Sequence, residues 1–162
     1  MEFDILRMVS ILRDLDDHDL AAFGELLEVR QVKRGARLIE EGTPVSEFSI
    51  ICNGVVHVRR LAQKRQMLMG RLGVGRFFGE INLFDPGVAT ASIIAMEPTQ
   101  LAVISYEKFR AFMAERPKAG YKITSAMMTE MCHRLRQVSW RLVTAVYWGG
   151  EEEAAAASTR GS

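Results

Sequence analysis

Cysteine is scarce in this chain: Cys52 and Cys132 are the two among 162 residues, and neither has a partner at metal or redox spacing. That excludes a disulfide scaffold and a zinc module, and both thiols are expected to be buried and reduced. Net charge is also nearly missing. Lys and Arg number 21 against 20 Asp and Glu, for +1, which speaks against a globally basic nucleic-acid binder while leaving a local basic face open. No apolar run reaches membrane-spanning length, and Glu2 and Asp4 stand in an amphipathic opening stretch that does not read as a signal peptide. A cytoplasmic protein without a membrane segment is expected. Catalytic constellations are absent as well: there is no nucleophile elbow, P-loop or paired carboxylate set, so no enzyme is expected. His18, His57 and His133 are scattered without ligand spacing, so no metal is expected. What is present, 48% hydrophobic and 25% charged residues, suits one domain with a real core.

The order of patterns divides the chain. Residues 1–28 read as helical. Phe3, Leu6 and Val9 recur at helical spacing, and Asp16 looks like the N-cap of a second helix carrying Leu20, Phe23 and Leu27 on one face. Gly24 within it suggests a close packing contact. Residues 29–105 switch to short β-prone runs broken by glycine and proline. Asn53-Gly54 is the strongest hairpin signal, with Phe48–Cys52 before it and Val55–Val58 as the return strand. Further strands are expected at 66–71, 91–96 and 101–105. Residues 106–148 return to helix: Tyr106–Glu115, then a long stretch from about Lys118 to Trp148 that Gly149-Gly150 should stop. Residues 149–162 are expected to form a loosely held tail. The fold class is therefore mainly β with flanking α, an antiparallel jelly-roll barrel between N-terminal helices and a long C-terminal helix. The methionines Met67, Met69, Met96, Met113, Met127, Met128 and Met131 read as adaptable core and helix interface.

One segment carries chemistry. Phe77-Phe78-Gly79-Glu80-Ile81-Asn82-Leu83-Phe84, then Thr90-Ala91-Ser92-Ile93-Ile94-Ala95, places a glycine-led turn and an apolar patch between strands. Such a turn can cradle an anion through backbone N–H groups. Its setting is specific: Phe48-x-Ile50-x-x-x-Gly54-x-Val56-x-Val58, Leu72-Gly73-x-Gly75-x-Phe77-Phe78-Gly79-Glu80 and Thr90-Ala91-x-Ile93-x-Ala95, with helices before and a long helix after. This order resembles the cyclic-nucleotide-binding domain of catabolite-activator-type regulators, kinase regulatory subunits and gated channels, over roughly residues 11–148. The resemblance implies an eight-stranded barrel with residues 77–95 as its phosphate-binding cassette. It makes Phe78, Gly79, Glu80, Ile81, Asn82, Ala89, Thr90, Ala91 and Ser92 the candidate ligand-binding residues, with Gly79 giving backbone contacts and Glu80 a ribose hydroxyl contact. The cassette departs from the family at one position. The family's arginine, partner of the cyclic phosphate, falls on Ala89, and no Arg or Lys lies between Arg76 and Lys108.

Losing one partner of a charge-assisted pair typically costs about 2–5 kcal/mol, which would weaken a micromolar site by roughly 30-fold to several-thousand-fold. Two function classes follow: a regulatory domain sensing a cyclic nucleotide or other small anionic effector, weakly or with an altered ligand, or a dimerisation and protein-interaction scaffold that binds none. No other cofactor is implied. In the long helix Met128, Met131, Leu135, Val138, Leu142 and Ala145 step by three and four, the seam of a two-stranded parallel homodimer. Activator-type relatives continue into a helix-turn-helix domain after this helix, which is missing here. Direct DNA binding is therefore not expected, and output is expected through a partner effector protein.

Overall fold

The computed structural model describes residues 3–63 and 65–159. The chain divides into two compact units, residues 1–123 and 124–162. The first unit opens with α1 (Phe3–Met8) and α2 (Asp17–Glu25). Asp16 caps α2 as its sequence predicts, accepting a 2.8 Å bond from the Asp19 N–H, and that bond holds its carboxyl below the ordinary carboxylate range. Gly24 is where α1 comes close: a Cβ there would stand 3.2 Å from Leu6 Cδ1.

Eight strands follow: β1 (Glu28–Val32), β2 (Arg37–Ile39), β3 (Glu47–Asn53), β4 (Val56–Ala62), β5 (Arg65–Leu72), β6 (Phe77–Phe78), β7 (Ser92–Ala95) and β8 (Thr99–Ser105). The short helix α3 (Glu80–Phe84) lies between β6 and β7. They form two antiparallel four-stranded sheets, ordered β1-β8-β3-β6 and β2-β7-β4-β5. Between the sheets, Ile51, Val56, Phe78, Ile93, Leu101 and Val103 form the inner core. Alternation along β3 and β6 turns Phe48 and Phe77 to the opposite face. There α2 and α4 (Tyr106–Glu115) cover the sheet: Phe109 packs edge-on against Phe48 at 5.2 Å and against Phe23 at 5.5 Å. The first sheet is thus apolar on both faces, which fixes the barrel to its helices.

The hairpin expectation at Asn53-Gly54 is overturned. β3 pairs with β8 and β6, whereas β4 pairs with β5 and β7, so this turn carries the chain from one sheet to the other. Gly54 has φ +92°, and a Cβ there would meet Thr99 Oγ1 at 2.5 Å and the Pro98 carbonyl at 2.9 Å. The turn is wedged against the residues 97–99, and that contact directs the chain across rather than back. Gly54→Ala should therefore cost about 2–5 kcal/mol in urea unfolding, from left-handed strain plus overpacking. Gly35→Ala, at φ +82° with nothing within 4 Å, should cost only about 1–2 kcal/mol. Equal losses at the two sites would refute the crowding at Gly54.

Other expectations are corrected. Met67 and Met69 are exposed on β5, the edge strand of its sheet, and only Met127 of the methionine group is fully buried. Cys52 is buried but Cys132 is exposed on the long helix. That helix, α5 (Pro117–Thr159), runs through Gly149-Gly150 instead of stopping there. Each glycine costs a helix only about 1 kcal/mol, and the alanines at 154–157 beyond them are the best helix formers. In residues 124–162 Leu135, Val138 and Leu142 lie exposed along one face, with Met128; Met131 is half-buried. The side chain of Ala145 and the tail residues 160–162 lie outside the described residues.

Candidate functional site

The cassette begins where β6 ends. Gly79 has φ +87°, and a Cβ there would stand 2.4 Å from the Glu47 carbonyl, so no other residue passes this point without displacing β3. The turn puts Glu80 at the start of α3, buried. Asn82 is also buried and donates from Nδ2 to the Val88 carbonyl at 3.3 Å, tying the helix to the returning chain. Ile81 and Phe84 stay exposed.

The returning chain is stitched to the loop that joins β2 to β3. The Ala89 N–H donates to the Thr43 carbonyl at 2.8 Å, and the Gly42 N–H donates to the Ala89 carbonyl at 2.8 Å. Pro44 and Val88 form a bridge beside them. Ser92 Oγ, buried, accepts from the Glu41 N–H at 3.0 Å. The Glu41 carboxylate in turn accepts from the Leu61 N–H at 2.8 Å and faces Arg60 Nε at 3.6 Å. Ala89 is buried, Ala91 half-buried and Thr90 exposed. Among the described residues the N–H groups of Thr90 and Ala91 take part in no backbone bond.

A second set of contacts comes from α4. The Tyr106 hydroxyl donates to the Gly79 carbonyl at 2.6 Å, and Arg110 donates to the Leu83 carbonyl at 2.7 Å. The Arg110 guanidinium also lies over the Tyr106 ring, 5.7 Å from its centre. Burial, and then the nearby Glu80 carboxylate, push the Tyr106 phenol up to about 12, so it remains a donor at any physiological pH. The first helical turn after β8 therefore grips both ends of α3.

All nine candidate residues fall in one segment, but they do not share one environment. Phe78 belongs to the inner core, Glu80, Asn82, Ala89 and Ser92 are buried within the cassette, and Ile81 and Thr90 face outward. Sequence reasoning missed Glu41, Gly42, Thr43, Tyr106 and Arg110. These act through pairings of 27 to 51 residues' separation, and no local pattern marks them. Arg76 is exposed in the turn before β6, where its carbonyl accepts from the Ile51 N–H. A cavity of about 380 Å³ is lined by the 43–47 stretch together with Arg30, Leu38, Leu101 and Phe78 of the cassette. Arg30 and Glu47 pair across it through two bonds of 2.9 and 3.1 Å, which hold the Glu47 carboxyl below its ordinary range.

The comparisons agree with this architecture. Residues 29–116 match the family model described as the cyclic nucleotide-binding domain. The chain is 26% identical over 145 residues to a CRP-like cAMP-activated global transcriptional regulator of Mycobacterium tuberculosis, covering 89% of this chain and 63% of that one. It is 31% identical over 152 residues to mouse cGMP-dependent protein kinase 2, covering 88% of this chain and 20% of the kinase. The crystal structure of a cyclic nucleotide-binding domain from Methylobacillus flagellatus superposes with a TM-score of 0.77 at 25% identity, over 83% of this chain and 79% of that one. This chain spans less than two thirds of the length of those two relatives. No helix among the described residues is long and apolar enough to cross a membrane. With eight strands in two sheets, a glycine-led cassette between β6 and β7 and a long final helix, the chain belongs to the cyclic nucleotide-binding domain family.

Proposed function

We propose that this domain is a non-catalytic, cytoplasmic regulatory module whose effector is a cyclic nucleotide, or a small anion of similar chemistry, held weakly in the cassette. The supporting observation is that the segment from Gly79 to Ser92 is folded and fastened from two sides. It nevertheless leaves Thr90 exposed, and among the described residues the Thr90 and Ala91 N–H groups have no backbone partner. A cyclic phosphate is a small anion that accepts several such bonds. The weakness comes from Ala89. A methyl group stands where a guanidinium would answer the full negative charge, and hydroxyl and N–H donors recover only about 0.5–1.5 kcal/mol each.

Output runs, on this reading, through α4, which grips the cassette at Gly79 and Leu83, to a homodimer formed along α5 and onward to an effector protein. Calorimetric titration with cyclic AMP, cyclic GMP and a dinucleotide is the test. The expected result is dissociation constants roughly 30-fold to several-thousand-fold above a micromolar site for the cyclic nucleotides. Low-micromolar binding would refute the weak cassette.

A further inference from the structure

We infer that Arg60 of β4 supplies the positive charge that position 89 lacks, with the Glu41 carboxylate as its resting partner. This rests on the reading of the cassette as an anion site. Three placements carry it. First, β4 and β7 are paired in unbroken register from Val56↔Ala95 to Arg59↔Ser92, so Arg60 follows directly on the pair that contains the last of the candidate ligand-binding residues. Second, β4 alternates, and Arg60 stands on the same face as Val56 in the inner core and Val58 packed against it. That face looks between the sheets, whereas Arg59 and His57 belong to the other. Third, the guanidinium is held at 3.6 Å by Glu41, whose own N–H is bound to Ser92 and whose neighbour Gly42 is bound to Ala89. The Glu41–Gly42 backbone thus fastens both ends of the 89–92 segment, while the Glu41 side chain faces the arginine.

The Arg60–Glu41 contact is loose. The Arg60 side chain is 61% exposed and the pair has no second bond. An exposed ion pair of this kind is weak and easily exchanged. The Glu41 carboxylate keeps the Leu61 N–H as partner when the guanidinium leaves, so an incoming phosphate can take the arginine without stranding a buried charge. Arg60 reaches the segment from the neighbouring strand, whereas an arginine at position 89 would rise from within it. The replacement is therefore partial, consistent with weak binding.

The test uses cyclic AMP and cyclic GMP as probes, with affinities read from titrations of amide NMR shifts so that millimolar constants are measurable. Arg60→Ala should weaken binding about tenfold and Arg60→Lys less, while Glu41→Gln should strengthen it a few-fold by removing the competing carboxylate. In an Ala89→Arg background the loss from Arg60→Ala should shrink below about twofold, because the charge is already supplied. Thermal midpoints of the variants show that they are folded. Unchanged affinity of Arg60→Ala would overturn the inference while leaving the cassette reading intact, and so would a wild type that shows no binding where Ala89→Arg binds. Absence of binding by both the wild type and Ala89→Arg would sink the cassette reading itself, and the inference with it.

Discussion

Ala89→Arg is expected to raise the affinity for cyclic AMP or cyclic GMP at least tenfold. A hydrogen bond to a charged group contributes about 1.5–3 kcal/mol, and a guanidinium offers a planar fork that a phosphate accepts at two oxygens. The backbone at this position is already fixed, with the Ala89 N–H and carbonyl both bonded to the 42–43 segment, so little ordering is required of the loop. Because Ala89 is only 5% exposed, the new side chain has to displace some of its neighbours. A modest fall in the thermal midpoint should therefore accompany the gain, and ligand should reverse it by mass action. Glu80→Ala in the repaired protein should weaken binding again if Glu80 touches the ligand. No gain in affinity from a folded Ala89→Arg protein would mean that the cassette does not present position 89 to a ligand.

The second large effect concerns assembly. Leu135, Val138 and Leu142 are 67%, 59% and 64% exposed along one face of α5. A continuous apolar face of that kind on a monomer is unusual and marks an interaction site. Their spacing of three and four is that of a two-stranded seam. The wild type should run at twice its 18.2 kDa mass by light scattering, and the double variant Leu135→Glu, Leu142→Glu should run at 18.2 kDa. Four carboxylates brought together in an apolar seam would cost far more than the seam contributes. Gln137→Glu, off the seam, should remain a dimer. A wild type that is monomeric at high micromolar concentration would overturn this.

The parts of the fold that were legible in the sequence are those with local chemistry. Asp16 caps α2 because its side chain bonds three residues on, and the glycines at 54, 75 and 79 stand at positive φ. The order of strands, cassette and helix was readable for the same reason. Pairing was not. Asn53-Gly54 has the composition of a hairpin turn, yet the main partner of β3 lies some fifty residues away in β8, and the turn packs Gly54 against Thr99. Met67 and Met69 read as core or helix interface, yet β5 forms an edge with Met67, Leu68 and Met69 exposed. At the site, Gly79 and Glu80 were visible from the glycine-led turn. The fastening of Ala89 and Ser92 by the 41–43 loop, and of Gly79 by Tyr106, was hidden because each bond joins residues far apart in sequence.

The crossing at Gly54 has a consequence for how the chain is made. Among the described residues, β1 is paired only to β8 in the first sheet, and β3 only to β8 and the two-residue β6. As the chain leaves the ribosome, β1 and β3 must therefore wait for residues 99–105 before their main partner exists. Among the described residues, the β4–β5 ladder is the one long ladder that closes locally. Nascent chains will thus spend the synthesis of about half the domain with open edges rich in Phe48, Ile50 and Ile51, the condition under which long-range β-pairing folds slowly and needs shielding from its neighbours.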